Sequence, residues 1–273
     1  MGGPGDNAGA ADTHWVTTHT EGVLGVITLN RPARRNALTT GMLEQLRTAA
    51  NTLSDNEALR AIVLEASGDT FSVGADLDQA AETAVNDSLL RRRRDAELGG
   101  ALLRALRDIH QPTVCALRGI ATGGAACIAA ACDFRVCSDS AKMGLGEVRM
   151  GMNLMWQAMP YFVDLLGTAR AKQFIMSGRL FPATTLFEWG LVDALCPSEE
   201  LADTARNWAL EYASLPPVAV QMIKRSVNRY AQAVAEPTMH MDHDQWLLTA
   251  QSEDFRECIS AFKEKRPPDT QGR

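Results

Sequence analysis

A chain of 273 residues can bury a substantial core, as one large domain or one domain with an appendage. Its 46% apolar and 22% charged residues are those of an ordinary globular protein. The formal charge of −6 argues against a nucleic-acid surface, and no apolar run approaches the roughly 20 residues that a membrane helix needs.

Residues 1–13 are rich in Gly, Ala, Asp and Asn and lack the apolar run of a signal peptide; they read as a disordered tail. Trp15–Thr20 and Val23–Leu29 read as two strands around Glu21-Gly22, a hairpin signal. Thr39 or Thr40 can cap a helix carrying Met42, Leu43, Leu46 and Leu53 on one face. Ala61–Glu65 is a buried strand, and Ser67-Gly68-Asp69 turns the chain into Phe71-Ser72-Val73-Gly74-Ala75-Asp76.

Between Ser88 and Ile109 the spacing of Leu98, Leu102, Leu106 and Ile109 predicts a helix, stopped by Pro112. Its run Arg91–Arg94 reads as a solvated helix face. Thr113–Leu117 is a strand, the run from Gly119 through Gly123-Gly124 to Ala131 opens a helix, and Phe134–Cys137 is another strand. This alternation gives an α/β core. Beyond Leu154 helical patterns dominate, apart from a strand at Leu191–Cys196. Pro216-Pro217 precedes helices over Val218–Tyr230 and near Asp242–Phe262. A core over residues 14–200 and a helical region over 201–273 follow.

Six cysteines, Cys115, Cys127, Cys132, Cys137, Cys196 and Cys258, form no C-x-x-C pair and sit mostly among apolar residues. They read as buried small hydrophobes in a reducing cytoplasm, with no metal site.

Two glycine-bearing turns follow buried strands: Val73-Gly74-Ala75-Asp76 and Thr122-Gly123-Gly124. If they converge, the backbone N–H groups of Ala75 and Gly124 form a two-donor oxyanion hole, the second strengthened by a helix N-terminus. Taken locally, the same glycines serve equally as tight turns.

Taken together, several motifs in this order resemble the crotonase superfamily, the enoyl-CoA hydratase/isomerase family. They are Leu29-Asn30-Arg31-Pro32 with Asn36-Ala37-Leu38, Phe71–Leu77, Gly119–Asp133, Leu180 through Gly190-Leu191-Val192-Asp193, and Ala261–Arg266. The resemblance runs from about Trp15 to Arg266. It implies a spiral of strand-strand-helix units and a C-terminal helical region that builds a homotrimer or a dimer of trimers. It also implies a coenzyme A thioester substrate and no tightly bound cofactor, while the acidic charge and the lack of a membrane-length apolar run predict no nucleic-acid or membrane partner.

Further roles follow from the resemblance residue by residue. The thioester oxygen would sit between the N–H groups of Ala75 and Gly124. Asp76 and Leu77 would flank it, and the nucleotide half of coenzyme A would lie near Ala33, Arg34 and Arg35. Phe262 and Lys265 would reach coenzyme A in a neighbouring subunit. Family hydratases use two glutamates. The second corresponds to Glu147, but the position of the first is Cys127, which reads as packing rather than as a nucleophile. Moving a double bond needs only one base, so isomerisation on Glu147 alone is the first expectation. An atypical hydratase, another crotonase chemistry and a catalytically impaired acyl-CoA-binding protein are the alternatives. Met150, Met152, Met155, Trp156 and Met159 would line the acyl pocket.

Overall fold

The computed structural model describes residues 14–79 and 88–273. The tail expected over residues 1–13 lies outside the described residues. Val16–Glu21 (β1) and Leu24–Leu29 (β2) form the expected antiparallel hairpin, turned by Gly22 at φ 60°. Ala61–Ala66 (β3), Thr113–Leu117 (β4), Phe134–Ser138 (β6) and Ala194–Cys196 (β9) add in parallel, giving a six-stranded sheet in the order β1-β2-β3-β4-β6-β9. Three short strands, Ile120–Thr122 (β5), Lys142–Gly144 (β7) and Leu180–Pro182 (β8), build a second sheet in the order β5-β7-β8.

The strand-strand-helix repeat is visible in β4-β5 followed by Gly124–Ala131 (α3), and in β6-β7 followed by Met159–Met176 (α4). The first strand of each pair joins the large sheet and the second joins the small one. Helix α4 is broken at Gly167, whose φ of 69° and ψ of 164° are not helical.

Alternation along the central strands explains their unbroken apolar sequence. Ile62 and Leu64 face a core shared with Thr40–Ser54 (α1), Leu89–Arg107 (α2) and α3, whereas Ala61 and Val63 face the other side. That second side is closed by Leu201–Ala213 (α6) through Leu201, Ala205, Ala209 and Ala213. The helical region expected from residue 201 onward therefore begins with an element of the core. Thr39 caps α1, its hydroxyl accepting the Met42 N–H at 3.2 Å.

Ala183–Glu188 (α5) follows β8, and the strand expected over Leu191–Cys196 is shorter than its apolar run. The N–H groups of Leu191 and Val192 are taken by the Leu186 carbonyl in a turn. The last predicted helix is two. Ser252 ends Asp242–Thr249 (α9) and caps Glu253–Glu264 (α10), accepting the Phe255 N–H at 3.0 Å. Ahead of them stand Pro217–Ala231 (α7) and the short Ala235–Met239 (α8). Helix α7 carries an apolar stripe, Val218, Met222, Ile223, Val227 and Tyr230, that is 58–87% exposed in the single chain.

Arg135, a buried residue of β6, bonds the carbonyls of Cys132, Asp133 and Leu191 and the Asp193 carboxylate at 2.5–3.1 Å. It ties β6 to the turn that enters β9. Among the described residues no helix is long and apolar enough to cross a membrane, and no group of three or more His, Cys, Asp or Glu could hold a metal.

Candidate active site

Four backbone segments lie side by side at one end of the sheets. Leu38 donates to the Gly74 carbonyl at 2.8 Å, and Asp76 donates back to Leu38 at 2.9 Å. Ser72 donates to Ile120 at 3.0 Å, and Thr122 donates to Ser72 at 3.2 Å. Gly123 donates to Gly144 at 3.0 Å, bringing in the segment that leads to Glu147. The two glycine turns therefore meet.

A Cβ on Gly74 would stand 2.7 Å from the Thr122 carbonyl oxygen and 3.8 Å from the Gly123 Cα, so the approach requires glycine at Gly74. Gly123, at φ 59° and ψ −129°, is likewise in a conformation that only glycine adopts readily. One residue beyond each glycine lie Ala75 and Gly124. No described residue accepts a hydrogen bond from either N–H. For Ala75 the two bridging bonds use its neighbours; for Gly124 the reason is its place as the first residue of α3.

Glu147 begins a 3-10 turn, Glu147–Met150, and its carboxylate comes back against Gly123. A Cβ on Gly123 would be 3.1 Å from Glu147 Oε1. Glu147 Oε2 is shut off from solvent without a hydrogen-bond partner among the described residues. Burial pushes the pKa of this carboxyl above the usual carboxylate value, offset in part by the residue's own N–H.

Cys127 lies one turn into α3, 1% exposed. Burial first, and the neighbouring Glu147 charge second, hold its thiol protonated well above the ordinary thiol range. All six cysteines are free and buried.

The remaining expected contacts divide. Asp76 is turned into the fold: its carboxylate takes Arg31 Nη1 at 2.6 Å and caps the N–H groups of Asp78 and Gln79 at 3.1 and 3.3 Å. Burial alone would push this carboxyl up, but Arg31 and the backbone donor outweigh it and hold it low. Asp76 thus fixes the turn that carries Ala75 instead of presenting a free carboxylate.

Arg34, expected as a phosphate partner, is paired with Asp78 and lies 3.8 Å from Asp76, so local carboxylates already compete for it. Arg35 is exposed, in the left-handed region at φ 49°, with Ala33 exposed beside it. Leu77 is exposed at the same rim. Phe262 and Lys265 are exposed at the end of α10, on the surface of the single chain. In the Arg91–Arg94 run, Arg91 pairs with Asp95 at 3.4 Å along its own helix, and Arg93 pairs with Glu97 at 3.0 Å and across to Asp244 of α9 at 2.9 Å.

Among the methionines, Met152 turns its sulfur to the Trp246 indole N–H at 3.2 Å. Asp242 carries no sequence motif. It is 2% exposed at the start of α9, and its carboxylate accepts the Gln157 N–H beside Trp156. Burial pushes its carboxyl up, and the Gln157 and His243 N–H groups partly offset that.

The model of the enoyl-CoA hydratase/isomerase family matches residues 19–273, and the chain belongs to this family. It is similar to a short-chain-enoyl-CoA hydratase of Clostridium acetobutylicum, 29% identical over 90% of this chain and 93% of that one. It is also similar to a 1,2-epoxyphenylacetyl-CoA isomerase of Escherichia coli, 27% identical over 95% of this chain and 99% of the other. In fold it matches the crystal structure of an enoyl-CoA hydratase/isomerase from Pseudoalteromonas atlantica, with a TM-score of 0.83 over 94% of this chain and 100% of that one, at 24% identity.

Proposed function

We propose that this enzyme shifts the double bond of an enoyl-CoA thioester from the 3 to the 2 position, with Glu147 as its single acid and base. The observation that carries the reading is the pairing of a carboxylate against Gly123, its Oε2 enclosed and unpartnered among the described residues, with a buried protonated thiol at Cys127. Hydration needs a water oriented and deprotonated and a proton delivered to carbon, work that suits two carboxylates. Isomerisation needs one. The Glu147 carboxylate removes a proton from C2, and the electron pair moves through the carbonyl to give a dienolate. The N–H groups of Ala75 and Gly124 hold its oxygen, and the same proton returns to C4 as the carbonyl re-forms. No cofactor enters this sequence.

The nucleotide half of coenzyme A lies along Ala33–Arg35, where Arg34 would leave Asp78 for a phosphate. Leu77 and Trp156 border the acyl side. The apolar stripe of α7 and the exposed Phe262 and Lys265 are buried in a homotrimer, or a dimer of trimers, where the last two meet a neighbour's coenzyme A. The free cysteines suit a cytoplasmic enzyme.

A second reading, weak hydration, is favoured by the hydratase named among the relatives. Parallel assays on a 3-enoyl-CoA and on crotonyl-CoA separate the two. Isomerisation is expected to dominate, and hydration of crotonyl-CoA as the faster reaction would sink the proposal. The pH profile follows from the base. The active form is the carboxylate, so kcat/KM falls as pH drops through the raised Glu147 pKa, at a higher pH than an ordinary glutamate would give. A rate that stays flat down to the ordinary glutamate range would remove Glu147 from the role.

A further inference from the structure

Trp156 fills a slot cut from two glycines, one on each of two helices. A Cβ on Gly99 would stand 2.0 Å from the indole Nε1, and one on Gly124 would stand 2.3 Å from Cη2. At Gly100 a Cβ would come within 3.4 Å of the Trp156 carbonyl oxygen. Adjacent glycines inside α2 weaken that helix relative to alanine, and the indole is the physical reason for Gly99.

The backbone under the ring is also unusual. Trp156 has φ 73° and Gln157 has φ 55°, a region that bulky residues seldom enter. Gln157 holds the segment there from three sides: its N–H goes to the buried Asp242 carboxylate, its amide oxygen accepts Arg104 Nη1 at 2.6 Å, and its amide nitrogen donates to the Met239 carbonyl at 3.4 Å.

The ring therefore lies against Gly124 while the Glu147 carboxylate lies against Gly123. An acyl group with its C2–C4 region at Glu147 would have the indole as its neighbour, one residue further along the chain at Gly124. We propose that Trp156 is a specificity-determining residue that closes the acyl end of the site and confines this protein to short acyl thioesters, an inference that rests on the acyl-thioester reading above. An open apolar channel would tighten binding about fourfold for each added methylene. A channel blocked by a fixed ring gives no such gain, because further carbons must displace packed atoms or stay in water.

The test is calorimetric binding of butyryl-CoA and decanoyl-CoA to the wild-type protein and to Trp156→Gly, a residue at ease at φ 73°. The wild-type protein is expected to bind decanoyl-CoA no more tightly than butyryl-CoA. Trp156→Gly should raise the ratio of decanoyl-CoA to butyryl-CoA affinity by about tenfold or more, since several methylenes gain an apolar slot. A wild-type protein whose affinity climbs with chain length overturns the inference, as does a folded variant with an unchanged preference. Should Trp156→Gly not fold, the wild-type profile and the smaller ring of Trp156→Phe decide, the latter expected to fall between the two. Tighter binding of decanoyl-CoA than of butyryl-CoA by the wild-type protein refutes the inference alone, whereas binding of neither refutes the acyl-thioester reading beneath it.

Discussion

Glu147→Gln is expected to abolish turnover while leaving acyl-CoA binding nearly unchanged. A general base positioned at the reacting carbon contributes about 10²- to 10⁴-fold in rate, and here one side chain performs both proton transfers, so kcat should fall toward the upper part of that range. Glutamine keeps the shape of the carboxylate and its contact with Gly123 but cannot take a proton from C2. The substitution should not harm the fold. The Glu147 carboxyl has a raised pKa because burial penalises its charge, so the folded state holds the proton more tightly than the unfolded state. Stability of the wild-type protein therefore falls as pH rises from the unfolded pKa through the folded one. Glu147→Gln removes that loss, and at neutral pH its melting temperature should equal or exceed the wild-type value. Loss of turnover together with retained butyryl-CoA affinity and an undiminished melting temperature assigns the role to chemistry. Full isomerase rate in the variant would end the assignment. Turnover absent from the wild-type protein on every enoyl thioester, with affinity intact, would instead identify an acyl-CoA-binding protein.

The elements of the site that lie within one short segment were legible in the sequence. The Thr39 cap, the β3 and β4 runs and the two glycine turns each follow from local residue chemistry, because their partners are a few residues away or are simply the other face of the sheet. The small sheet escaped notice because β5, β7 and β8 are three residues each, too short for a period-2 signal. The diversion of Arg34 to Asp78 spans 44 residues and that of Arg31 to Asp76 spans 45, so no spacing rule reveals either pair. The Trp156 slot combines residues from α2, α3 and the loop before α4. Its one readable sign was Gly99-Gly100 inside an otherwise helical pattern, which signals a close approach without naming what approaches. Asp242 gave no sign at all, since a single acidic residue at a helix start is the commonest of surface features.

Gly74→Ala is the second large effect expected, and it bears on whether the two backbone N–H groups work as a unit. The added methyl would stand 2.7 Å from the Thr122 carbonyl oxygen, on a residue whose φ of 81° already disfavours a side chain. Neither strand can give way freely: the Gly74 carbonyl holds the Leu38 N–H, and Thr122 is bonded to Ser72. Relief must therefore come by separating the 73–76 turn from the 122–124 turn, which moves Ala75 away from Gly124. One misplaced oxyanion donor lowers kcat by about 10²- to 10³-fold. The backbone strain itself costs about 1–3 kcal/mol of stability. Gly190→Ala is the matched control. Its φ of 84° imposes similar strain, but no atom lies within 4 Å of the new methyl. Both variants should melt earlier than the wild-type protein, and only Gly74→Ala should lose turnover. Equal activity in the two would mean that the convergence of the glycine turns has no part in the chemistry. Selective loss in Gly74→Ala would mean that the spacing between Ala75 and Gly124, not the mere presence of the two donors, sets the rate.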